Sequence, residues 1–111
     1  MRDLYDILAD EKLRSRPAMF MGLKSITALH VWICGLMCAD HFGVGQIKSE
    51  PPFGEFHCFV REKYGFSLGG EGWSTHLLKV EEREGSRDGA ESRAVDRFFS
   101  DLDEFTRRSS K

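Results

Sequence analysis

The sequence predicts a mainly α fold: a single small domain over residues 1–111, with about five helices around a central apolar helix and room for one short strand. Three observations predict it. Apolar residues recur at three- and four-residue steps in several windows, which is the period of a helix face rather than a strand. Glycine and proline fall between those windows, where the chain must turn. The chain has 111 residues and 41% hydrophobic content. At that length roughly 60–70% of the unfolded surface can be buried in one core.

Leu4, Ile7 and Leu8 lie on one face of a first helix over about residues 3–15. Arg16-Pro17 ends it, because proline has no N–H to donate and biases the preceding residue away from helix. Ala18 to Gly22 reads as a compact apolar turn, and Met19–Met21 admits a short strand. Ser25 is placed to cap a second helix by satisfying a free N–H of its first turn. That helix passes through Ile26, Leu29, Trp32, Ile33, Leu36 and Met37 and stops near Gly43. It is apolar around most of its circumference, which predicts a central, buried helix.

Gly43 to Pro51-Pro52 reads as a loop. Phe53, Phe56, Val60 and Tyr64 mark a third helix, with Gly65 as its stop. Phe66 to Gly72 reads as a glycine-rich turn. Trp73, Leu77 and Val80 fit a fourth, short helix; a strand over 73–81 lacks clean alternation. Glu81 to Gly89 reads as a polar, mobile loop. Ala90, Ala94, Phe98, Leu102 and Phe105 then line a final helix. On its outer side Arg97–Asp101, Asp103–Arg107 and Glu104–Arg108 are spaced for ion pairs of a few tenths of a kcal/mol each.

The net charge is −2. This argues against a strongly basic nucleic-acid-binding surface, so no nucleic-acid partner is expected. No apolar run approaches the roughly 20 residues of a membrane span, and Arg2, Asp3 and Asp6 interrupt any leader-like stretch. The three cysteines, Cys34, Cys38 and Cys58, are an odd set with two on one helix, which is not a disulfide framework. A reducing cytoplasm is the expected compartment.

His30, Cys34, Cys38 and His41 form one stripe of the second helix. They span roughly 16 Å at 1.5 Å per residue, too far for one ion. One adjacent pair would need His57, Cys58 or His76 from elsewhere to complete a tetrahedron. Packing of the cysteines as small hydrophobes is the expected role, with no metal and no cofactor. A cysteine nucleophile would need a thiolate beside a positive group in an accessible cleft. A small metal- or thiol-dependent enzyme using Cys34, Cys38, His41 and His57 is therefore the alternative reading. The run Gly65 to Gly72 lacks the Gly-Lys-Ser/Thr ending of a phosphate loop. No catalytic residue is assigned.

The acids Glu81, Glu82, Glu84, Asp101, Asp103 and Glu104 form either solvated helix faces or a surface that steers a basic partner. Trp73 is either core or a partner anchor, since tryptophan is enriched at interface hot spots.

Arg16-Pro17-Ala18-Met19-Phe20-Met21-Gly22 before a helix resembles the lead-in to the ATP site of the gyrase-type ATPases. That family places a catalytic Glu and a metal-binding Asn on the next helix. Alignment at Leu29-His30 puts Gly35 and Ala39 at those positions, and neither can activate water or hold Mg²⁺.

The same segment, with Phe56-x-x-Phe59-Val60-x-x-Lys63-Tyr64, Gly72-Trp73-Ser74 and Phe98-Phe99-x-x-Leu102-Asp103-Glu104-Phe105, resembles small bacterial proteins. Some of these resemble immunity proteins encoded beside polymorphic or contact-dependent toxins. The resemblance implies a non-enzymatic, stoichiometric inhibitor that occludes a toxin domain. A regulatory adaptor is the other non-enzymatic reading. Glu71, Trp73, Glu81, Glu82, Asp101 and Glu104 are the expected partner-binding residues.

Calorimetric titration with Mg·ATP should give no heat of binding. A micromolar site would overturn the argument from Gly35 and Ala39.

Overall fold

The computed structural model describes residues 2–41, 47–48, 52–66 and 72–109. It is mainly helical. Its elements are β1 (Arg2–Asp3), α1 (Leu4–Leu8), α2 (Glu11–Ser15), α3 (Ala18–Met21), α4 (Ile26–His41), β2 (Ile47–Lys48), α5 (Gly54–Tyr64), α6 (Trp73–Glu84) and α7 (Ala90–Ser109).

The predicted first helix is two short ones. Asp10 breaks it: its Oδ1 accepts from the N–H groups of Lys12 and Leu13 at 2.9 and 3.1 Å, so a new helix starts there. Asp3 caps α1 in the same way, accepting from Tyr5 N at 2.7 Å. The stretch Met19–Met21 is helical, not a strand. The strand pairing lies instead between β1 and β2, parallel, with Arg2 opposite Ile47. Parallel neighbours need a long crossover, which α1 to α4 supply.

The longer elements follow the apolar periodicity. Ser25 Oγ accepts from Ala28 N at 3.2 Å and caps α4 as expected. Gly65 ends α5 at φ 74°, a left-handed conformation that glycine adopts without steric cost. Helix α6 continues through Glu84, so the polar connection shrinks to the turn before Ala90.

Helix α7 packs against α4, α5 and α6 and is the spine of the core. Its buried side chains include Ala94, Val95, Phe98, Leu102 and Phe105. Phe98 meets Trp73 at 4.8 Å and Phe56 at 5.4 Å between ring centroids. Trp73 in turn meets Phe53 and Phe56 edge-on, each at 5.8 Å. Staggered and edge-on pairs of this kind add about 0.5–1.5 kcal/mol each beyond their buried area.

Helix α4 is not buried all round. Ile26, Leu29 and Ile33 enter the core, but Val31, Met37, Cys34 and Cys38 are exposed. No helix among the described residues is long and apolar enough to cross a membrane.

Phe98→Ala should lower stability by roughly 3–5 kcal/mol, the range for deleting a buried aromatic. A denaturant midpoint close to wild type would contradict the burial of Phe98.

Candidate functional site

The segment that ends α2 builds the most exposed apolar surface. Arg16 N donates to Lys12 O and closes α2, and Pro17 opens the one-turn helix α3. A proline here loses nothing, since a first-turn N–H has no partner inside the helix. None of the four residues of α3 is buried. Gly22 follows at φ 90°, a conformation that side chains with a Cβ rarely adopt, and turns the chain into α4.

The consequence is a cluster of apolar side chains in solvent. Met19 is 73% exposed, Leu23 58%, Val31 66% and Phe20 43%. Phe20 stands edge-on to half-buried Trp32, with centroids 6.2 Å apart and planes at 70°. This pair separates two open cavities. One, of about 540 Å³, lies among Met21, Leu23, Ala28 and Val31. The other, of about 610 Å³, lies among Asp6, Ile7, Asp10, Leu13 and Leu36. Contiguous exposed apolar surface with polar residues at its rim is characteristic of protein-binding sites.

The partner-binding residues expected from sequence lie elsewhere and are not gathered into one acidic surface. Glu71 is outside the described residues. Trp73 is buried and stacks on His30 at 5.1 Å, so it is a core residue rather than an exposed anchor. Glu81 is buried and bridges Arg93 Nε at 3.0 Å and Arg97 Nε at 2.5 Å. Glu82 pairs with Arg87 at 3.2 Å, and Glu84 with Arg97 at 2.5 Å. Asp101, only 2% exposed, accepts from Lys63 Nζ and Tyr64 Oη, each at 2.6 Å. Glu104 takes Lys63 at 3.1 Å and Arg108 at 3.7 Å. Each of these described acids is neutralised by a cation of the same chain.

Sequence reasoning placed the α7 pairs at i,i+4, and only Glu104–Arg108 forms. Arg97 turns to α6 instead, and Asp103 takes a two-pronged contact from Arg14, both distances 2.8 Å. Contacts between helices win because they join partly desolvated groups, whereas i,i+4 pairs sit in water.

The cysteine and histidine stripe does not converge. Cys34, Cys38 and Cys58 are exposed, not packed in the core. His30 Nδ1 lies 2.7 Å from Ser74 Oγ, and His57 stacks on His76 at 5.6 Å. The side chain of His41 is outside the described residues. Among the described residues no three of His, Cys, Asp and Glu form a group that could hold an ion. Sequence reasoning missed the Ser74–His30 pair, whose members lie 44 positions apart. It joins α4 to the first turn of α6. Nucleophilic catalysis would need a third group orienting the imidazole, and among the described residues no carboxylate accepts a hydrogen bond from His30.

Comparison with known protein families, with characterised proteins and with solved structures finds no match to this chain.

The interhelical ion pairs set the acid stability. The hydrogen bond from Arg14 holds the Asp103 carboxyl below its ordinary 3.8. Burial would raise the Glu81 carboxyl, but hydrogen bonds from Arg97 and Arg93 outweigh it and hold it below 4.5. Both carboxylates therefore bind protons less readily in the fold than in the unfolded chain. Their stabilisation is complete above those ordinary values and drains as pH falls through the depressed folded ones. The denaturant midpoint should drop on acidification below pH 4.5. Glu81→Gln should cost roughly 1–3 kcal/mol at neutral pH and flatten that drop. A mutant with an unchanged acid profile would show that the bridge contributes nothing.

Proposed function

We propose that the chain is a non-enzymatic protein-binding inhibitor, an immunity protein that neutralises a bacterial toxin domain in the cytoplasm by occlusion. The observation that carries the binding role is the exposed apolar cluster of Met19, Phe20, Leu23 and Val31 around Trp32. Leaving such side chains in water forfeits about 25 cal/mol per Å² of apolar surface, a loss recovered when a partner covers them. The resemblance of residues 16–22, 56–64, 72–74 and 98–105 to immunity-like proteins supports the inhibitor reading as a whole. Aromatic side chains at the centre of such a surface are the usual anchors of affinity.

The mechanism is steric. At the α3–α4 corner exposed Phe20 stands edge-on to Trp32 between two open cavities. Seated over a toxin's substrate groove, this surface excludes the substrate from it. A regulatory adaptor would use the same surface on a different partner, so the partner's identity separates the two readings.

Met19→Glu combined with Val31→Glu tests the surface, since both side chains are already largely in solvent and the fold should tolerate the change. Co-expression with the toxin domain encoded beside this chain should kill cells carrying the double mutant and spare those carrying wild type. Phe20→Ala alone should weaken toxin binding by more than about 2 kcal/mol. Equal protection by the double mutant would remove the α3–α4 corner from the interface. No protection by wild type would remove the immunity assignment.

A further inference from the structure

The 610 Å³ cavity between α1–α2 and α4 combines an apolar lining with negative charge. Its apolar lining is Ile7, Leu13, Phe20, Trp32 and Leu36. Among the described residues its polar lining is two carboxylates, Asp6 and Asp10, both exposed. Asp10 uses Oδ1 to cap α2, and its other oxygen accepts no hydrogen bond among the described residues. Asp6 makes no ion pair among the described residues either.

These two acids differ from Glu81, Glu82, Glu84 and Glu104 on α6 and α7, each of which pairs with a cation of the fold. Two of the nearby cations are committed elsewhere: Arg14 holds Asp103 and donates to Leu8 O at 2.8 Å, and Lys24 holds Asp96 at 2.8 Å. Lys12 and Arg16 line a neighbouring cavity with Met19 and Phe20. The cavity thus offers aromatic and aliphatic walls to a stem and open negative charge to its head.

We infer that this cavity receives an arginine side chain of the protein partner. The guanidinium would lie against Trp32 and Phe20 and donate to Asp6 and Asp10. Arginine suits the site better than lysine, because a planar guanidinium is weakly hydrated, stacks on aromatic faces and presents several donors at once. A carboxylate guest would be repelled, and a purely apolar one would leave both acids facing it without a donor. The inference rests on the protein-binder reading and adds to it the chemistry of the partner residue that enters. The charge match also sets the partner's sign: its contact face is basic here, at Asp6 and Asp10, and not along α6 and α7.

The test has an arm that does not involve the toxin. The wild-type protein, ¹⁵N-labelled, is titrated with N-acetyl-arginine amide and separately with N-acetyl-citrulline amide, the uncharged isostere. Millimolar arginine amide should shift the Trp32 indole and the amides of Asp6 and Asp10; citrulline amide should not. Asp6→Lys with Asp10→Ser should abolish the shifts. Serine keeps the helix cap while removing the charge, so the melting temperature should hold. Asp6→Asn alone should weaken them if the double mutant does not fold.

The second arm measures affinity for the toxin domain, which the double mutant should lower at least tenfold. No shift with arginine amide, or equal shifts with citrulline amide, overturns the inference even if wild type protects cells. Shifts with arginine amide together with no toxin binding support the cavity and overturn the immunity reading alone. A dimer in light scattering that Asp6→Lys dissociates would give the cavity to a second copy and overturn its assignment to a foreign partner.

Discussion

Phe98 is the point on which the rest of the packing depends. It lies on α7 and touches Trp73 from α6 and Phe56 from α5, so one side chain ties three helices together. Trp73 also stacks on His30 and thereby brings α4 to the same centre. The geometry has little freedom, because flat rings in contact settle into a few staggered or edge-on arrangements. Around that centre the polar layer closes in one direction: Glu81, Arg97, Tyr64, Asp101 and Lys63 link α5, α6 and α7 on the outer side of α7. The aromatic contacts hold the helices together, and the ion pairs fix their rotation about α7.

That arrangement explains why acids visible in the sequence do not make a steering surface. Glu81 and Asp101 lie on helices whose apolar faces must meet, so their carboxylates are drawn into the junction. A buried carboxylate must be paired or protonated, and Arg93, Arg97 and Lys63 supply the pairing. Lys63 in turn responds to Asp101 and Glu104: burial would lower its ammonium, and their hydrogen bonds raise it instead. Sequence counts charge, but only three-dimensional placement says which charges cancel. Asp6 and Asp10 at the α1–α2 end make no ion pair among the described residues, and Arg14 of the same segment is taken by Asp103.

Much of the fold was legible for a local reason. Helices α5 and α7 carry long apolar stripes of one period, and Ser25 and Gly65 punctuate them with groups whose roles depend on neighbouring backbone alone. The failures share a different cause. The break at Asp10 depends on an aspartate preferring two free N–H groups over continuing the helix, a choice that apolar spacing at Leu4 to Leu8 does not reveal. The pairing of Arg14 with Asp103 joins residues 89 positions apart. The candidate site was half legible: the Arg16–Gly22 segment stood out in sequence, but the acids named as contacts did not join it.

Helix α4 shows how a sound pattern rule led to the wrong face. No charged residue occurs from Ile26 to Ala39, which reads as complete burial. Burial needs partners on every side; among the described residues α4 packs mainly against α6 and α7, with lesser contact to α3 and β2. Ile26, Leu29 and Ile33 are buried. The outer side is left with Thr27, Val31, Cys34, Gly35 and Cys38 in solvent. A solvated helix face ordinarily carries Lys, Glu or Arg, which add i,i+4 pairs and solubility. Their absence here gives no advantage to the isolated fold. In the proposed complex it has a physical use beside the α3 corner: long charged side chains on this face would have to be desolvated as the partner covers Phe20 and Val31, and small uncharged ones need not be.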